Sequence, residues 1–122
     1  MAQRNDYSRA DRIRKALMKE VSDIVARDIK DPALDNILIS ITDVEVTQDL
    51  RFARIYFSVM AEPDKQQEVI ELLKEHQPQI RSAIGHRIRL RYTPEIDIRL
   101  DDSLERGARV SQILDQISRG EV

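Results

Sequence analysis

Ile37-Leu38-Ile39-Ser40-Ile41-Thr42-Asp43-Val44-Glu45-Val46-Thr47 sets the architecture of the chain. It is rich in β-branched residues and alternates apolar with polar, the pattern of a half-buried strand. The apolar phase flips between Ile41 and Val44, so an extra residue near Thr42-Asp43, a β-bulge, is needed to keep both halves on one face. Past Gln48-Asp49 a second run reaches Met60, with Ala53, Ile55, Phe57 and Val59 on one side and Phe52, Arg54, Tyr56 and Ser58 on the other. The two runs read as an antiparallel hairpin. Neither Asn-Gly nor Asp-Gly marks the turn, which leaves its type open.

Helical patterns flank the hairpin. Upstream, from Ser8, the residues Ile13, Leu17, Val21, Ile24 and Val25 recur at helical spacing until Asp31-Pro32 disfavours continuation. Downstream, Pro63-Asp64 opens a helix carrying Val69, Leu72 and Leu73 that closes near His76-Gln77. Pro78 suits the first position of another helix, bearing Ile80, Ile84 and Ile88. A glycine inside a helix costs about 1 kcal/mol relative to alanine, so Gly85 signals either close packing or a break. The expectation is a helix bent at Ala83-Ile84-Gly85, with a second short helix ending near Leu90. Glu95 to Leu100 alternates as a third strand, and Ser103 is placed to cap a C-terminal helix with Val110, Ile113, Leu114 and Ile117. This order implies an α+β fold, a two-layer sandwich of a three-stranded sheet with helices on one face. Residues 1–7 form an N-terminal tail, 8–102 the domain, and 103–122 a C-terminal helix and tail.

The chain of 122 residues suits one domain, and 34% charged residues give it an ionic surface. No run is long enough for a membrane span, the polar N-terminus lacks the apolar stretch of a signal peptide, and there is no cysteine for disulfides or thiolate chemistry. A cytoplasmic setting is expected. The net charge of -2 hides a sorting: residues 1–19 and 81–91 each carry +4, whereas residues 20–80 hold thirteen acids against six bases. A molecule polarised in this way can turn a positive face to nucleic acid while its acidic side limits non-specific binding.

The basic run is Arg81-Ser82-Ala83-Ile84-Gly85-His86-Arg87-Ile88-Arg89-Leu90-Arg91. Arginine presents planar, permanently charged forks to phosphate oxygens, and an Ala-x-Gly step lets backbone N–H groups approach an anionic chain. Arg81, Arg87, Arg89 and Arg91 are thus candidates for RNA contact, and the absence of an acid among them distinguishes the run from an ordinary surface helix, which mixes signs. A solvated helix face remains open beside that reading. Arg12, Lys15 and Lys19, spaced by three and four, form a basic face beside the apolar stripe of the first helix, or pair with Asp11, Asp23 and the acidic middle segment. Ala83, Ile84, Gly85 and His86 belong to the same candidate surface.

Phe52, Arg54 and Tyr56 share a strand face, but aromatic residues make up only 4% of the chain, too few for a base-stacking platform. Asp101-Asp102 reads as negative charge at a helix N-terminus. The spacing of His76 and His86 fits no helical metal pair, and neither a phosphate loop nor a nucleophile–base arrangement is present. Neither metal, cofactor nor catalysis is expected.

The order of elements resembles the type II KH-like domain and, more narrowly, the bacterial ribosome-binding factor A family of small-subunit assembly factors. The resemblance covers nearly the whole chain. It rests on Arg12-Ile13, Asp31-Pro32, Ile41 to Thr47 running into Asp49-Leu50, Ala53-Arg54-Ile55-Tyr56, Ser82-Ala83-Ile84-Gly85, Leu90 to Glu95, and Asp101-Asp102-Ser103-Leu104 with Gly107. Ordinary KH domains clamp nucleotide backbone with a Gly-x-x-Gly loop; here Ala83-Ile84-Gly85 stands instead, the helix-kink-helix form of this family. The resemblance implies a non-catalytic factor that binds the small (30S) subunit and its 16S rRNA. It further implies a part in late subunit maturation, 5′-end processing of the rRNA and growth in the cold, with release by a ribosome-associated GTPase. A monomer is expected. A protein-interaction module with a solvated basic face is the alternative.

Overall fold

The computed structural model describes residues 9–101. Along the chain run helix α1 (Arg9–Arg27), strands β1 (Ile39–Val46) and β2 (Phe52–Val59), helices α2 (Pro63–Glu75) and α3 (Gln77–Arg87), and strand β3 (Glu95–Leu100). The expected α+β sandwich is present, with sheet order β1-β2-β3. β1 and β2 pair antiparallel, whereas β3 returns parallel to β2 after the α2–α3 crossover. The flip in apolar phase has the expected cause: the register shifts between Ile41 and Asp43, so that Ile39, Ile41, Val44 and Val46 lie opposite the inward side chains Val59, Phe57, Ile55 and Ala53.

All three helices cover the same face of the sheet. Leu17, Val21 and Ile24 of α1, Val69 and Leu73 of α2, and Ile80 and Ile84 of α3 are fully buried against Ile55, Phe57 and Ile98. Each such side chain contributes about 1.5–3 kcal/mol by leaving water. The opposite face of the sheet carries Phe52, Arg54, Glu45 and Arg99 and is open.

Several boundaries differ from the sequence reading. α1 stops at Arg27, ahead of Asp31-Pro32, because Ile29 turns into the core and the Asp31 carboxylate instead caps a short 3-10 turn, accepting from Ala33 N–H at 2.9 Å. The hairpin turn is built on Thr47: its carbonyl accepts from Leu50 N–H at 2.9 Å, and its hydroxyl donates to Asp49 at 2.7 Å. Leu50 sits at φ 61°, a left-handed conformation that a side chain makes costly.

The expected bend at Ala83-Ile84-Gly85 is not there. α3 runs through Gly85 as regular helix and ends at Arg87, and Ile88 is already extended, so no second short helix follows among the described residues. The break in the helical layer lies earlier, at His76, where α2 hands over to α3. Gly85 answers to close packing: a Cβ there would stand 2.9 Å from Thr93 Oγ1, on the segment that folds back along α3. The proposed tail (1–7) and C-terminal helix (103–122) lie outside the described residues.

Candidate nucleic-acid interface

α1 and α3 pack directly against each other, which brings the two basic stretches into one helical layer. Arg12, Lys15 and Lys19 are exposed on α1. They lie across the helix from the apolar stripe and not beside it, because Lys19 is about 200° of helical turn from the buried Leu17.

The run from Arg81 to Arg91 is divided by the fold. Ile84 is fully buried and its side chain serves the core, whereas Ala83 is half-buried and packs against that core from the edge. Arg81 is turned inward on the returning chain, donating to the carbonyls of Thr93 at 2.9 Å and Pro94 at 3.1 Å, with Glu95 at 3.4 Å. Arg87 reaches across to α1, where it pairs with Asp23, with Asp28 at 3.2 Å and with Glu20 at 3.4 Å. No acid lies among these arginines in sequence, but the fold delivers acids from elsewhere, to Arg87 from α1 and the turn after it and to Arg81 from the start of β3. Both residues therefore act as fasteners, Arg81 for the β3 approach and Arg87 for the α1–α3 seam. The hydrogen bond from Arg87 is the main reason that the Asp23 carboxyl is held below its ordinary value, with Arg27 adding to it. The same contact raises Arg87 further.

Gly85, His86, Arg89 and Arg91 remain on the surface. His86 turns its Nδ1 to the Ser82 carbonyl at 2.8 Å, one helical turn back, and so lies along the exposed side of α3. Arg89 and Arg91 lie on the extended segment after α3, and no ion pair joins either to an acid among the described residues. Exposed cations thus stand on the outer side of α1 and on the segment that follows α3, two elements of one helical layer.

Two further cations join this set. Arg9 opens α1 and Arg51 closes the β1–β2 turn, and both line a cleft of about 270 Å³ with Arg91 and Tyr92. Sequence reasoning missed Arg51 and gave Tyr92 no role. The available signal was the Asp49-Leu50-Arg51 turn, which projects an arginine wherever the hairpin ends.

The open face of the sheet is no stacking platform. Arg54 is tied to Asp97 at 2.9 Å and to Glu45 at 3.7 Å, Tyr56 donates its hydroxyl to Glu45 at 2.9 Å, and Phe52 is the one largely exposed aromatic there. Asp101 extends the sheet, donating its N–H to the Phe57 carbonyl at 2.8 Å while its carboxylate accepts from the Thr42 hydroxyl at the bulge. His76 contacts Gln79 at 3.2 Å and stands 3.9 Å from Asp31. Among the described residues no helix is long and apolar enough to cross a membrane.

Comparison with known proteins bears on this geometry. A family profile described as ribosome-binding factor A matches residues 9–114. The factor of that name from Clostridium tetani is 44% identical over 113 residues, covering 93% of both chains. Its namesake from Acetivibrio thermocellus is 46% identical over 110 residues, covering 90% of this chain and 89% of the relative. Among solved structures, a crystal structure of the factor from Thermus thermophilus superposes with a TM-score of 0.64 at 16% identity, over 75% of this chain and 93% of that one. Coordinates of the Thermus thermophilus factor fitted into a cryo-EM map of its complex with the 30S subunit give 0.60 at 17% identity, over 73% of this chain and 91% of that one.

Proposed function

The chain belongs to the ribosome-binding factor A family, and from that premise we propose that it is a non-catalytic assembly factor that binds the small ribosomal subunit through its 16S rRNA. Family membership carries the reading. The exposed cations supply a physical means: Arg12, Lys15, Lys19, Arg89 and Arg91, together with Gly85 and His86, would meet phosphates and release counterions, while shape fit to folded rRNA supplies specificity. Arg81 and Arg87, partly exposed themselves, tie the elements that carry that surface.

In this reading the factor works in the cytoplasm as a monomer, late in subunit maturation, and supports processing of the rRNA 5′ end. Selective binding of one rRNA arrangement matters most in the cold, when misfolded helices persist. A ribosome-associated GTPase would clear it from the mature subunit. If roughly six phosphates are contacted, affinity falls about a thousandfold between 50 and 200 mM salt.

The test is co-sedimentation with purified small subunits. Reversing charge at Arg89 and Arg91, which fasten nothing, should abolish binding and leave the thermal midpoint unchanged. Undiminished binding would favour the alternative of a protein-interaction module whose arginines serve solubility. Footprinting of the subunit with and without the protein locates the contact.

A further inference from the structure

We propose that Tyr92 is a stacking platform for one unpaired base of a single-stranded RNA segment, with Arg51, Arg91 and Arg9 holding the phosphates on either side. The inference rests on the RNA-binding reading and narrows it to a site and a substrate form. Three separate elements converge on the cleft: the start of α1 gives Arg9, the β1–β2 turn gives Leu50 and Arg51, and the segment before β3 gives Leu90, Arg91 and Tyr92. Tyr92 remains 63% exposed. The guanidinium carbons of Arg51 and Arg91 lie 5.9 and 6.0 Å from its ring centroid. Both arginines stand over the ring at the outer limit of cation–π contact, and most of the Tyr92 surface stays exposed, so an incoming base would displace only a weak contact.

Asp49 also borders the cleft, but its carboxylate is committed to the turn. It accepts from the Thr47 hydroxyl at 2.7 Å and from the Arg51 backbone N–H at 3.1 Å. No ion pair joins Arg9, Arg51 or Arg91 to an acid among the described residues. The site therefore combines a largely exposed aromatic ring with forked cations that no ion pair holds, Arg51 sensing the Asp49 carboxylate only at longer range, and this combination binds single strands through stacking and backbone charge. The flat sheet face has its arginines ion-paired, and the α1–α3 seam has no aromatic ring. A duplex keeps its bases stacked inside and offers the ring nothing.

The chain contains no tryptophan, so Tyr92→Trp introduces a single fluorescent reporter that can still stack. Titration with oligouridylate should quench it, and a duplex of equal length should not. Tyr92→Ala should weaken binding to the oligonucleotide and to small subunits by about five- to a hundredfold, the range for losing one stacked base. Its salt dependence should stay as in the parent chain. Tyr92→Phe should bind as the parent does, and circular dichroism checks that each variant is folded. Arg51→Ala and Arg91→Ala should each reduce the salt slope by about one. Absence of quenching, equal quenching by duplex, or unchanged affinity in Tyr92→Ala overturns the stacking site. If the parent chain still binds subunits in those cases, the assembly-factor reading stands; if it binds neither subunits nor oligonucleotide, both fall.

Discussion

Arg87 and Arg91 stand four residues apart in one basic run, yet one closes a seam and the other faces solvent. At the seam, α1 supplies Glu20 and Asp23 and the turn after it Asp28, and Arg87 is consumed by them. At the far end, Arg91 shares a cleft with Arg9 and Arg51 and has no carboxylate partner among the described residues. Charge density along a sequence is therefore not charge density on a surface. What matters is which distant acids the fold delivers to each cation.

The strongest way to break the contrast is to attack the floor of the seam. Ile84→Ala should cost about 2–5 kcal/mol, because a fully buried isoleucine leaves a cavity between α1 and α3. Urea denaturation measures it, and a cost well under 1 kcal/mol would show that Ile84 is not a core residue. Next, Arg87→Gln should lower the thermal midpoint by several degrees with subunit affinity otherwise retained. Arg91→Gln should do the reverse, weakening binding at an unchanged midpoint. A shared phenotype for the two would erase the distinction between the regions.

Acid sharpens it further. Because the folded state depresses the Asp23 carboxyl, its stabilising effect is complete above the ordinary value of 3.8 and is lost as pH falls through the lower folded value. The stability gap between the parent chain and Asp23→Asn should therefore close on acidification through that window, while a gap that widens would reverse the assignment. The smallest effect is expected at Gly85→Ala. The gain in helix propensity of about 1 kcal/mol is opposed by the contact with Thr93 Oγ1, which can turn aside, so net stability should move by less than about 1 kcal/mol. A loss of several kcal/mol would mean that the returning segment cannot yield.

Much of the architecture was legible because periodicity reports burial directly. The flip at Ile41-Val44 announced the bulge, Pro63 marked a helix start, and Glu95 to Leu100 alternated as the strand they form. Gly85 was ambiguous for a physical reason. A glycine in a helix pattern is the same letter whether the backbone bends or another segment comes close, and Thr93, which decides it, is eight residues away. The candidate site was less legible. Ile84 obeyed the core periodicity of Ile80 and Ile88 yet was drawn into the site by its neighbours, and the partners of Arg87 lie 59 to 67 residues away. Arg51 and Tyr92 are brought together only by tertiary contact.

The parallel pairing of β3 with β2 has a kinetic consequence. β1 and β2 meet across a tight turn and can zip locally, but β3 has no partner until the whole segment from residue 60 to 94 has collapsed into its helical crossover. That closure must be met in chain entropy before any ladder bond returns it. Refolding should thus stall on a two-stranded species, and the amides of Glu95 to Leu100 should be the last to gain protection from exchange with deuterium.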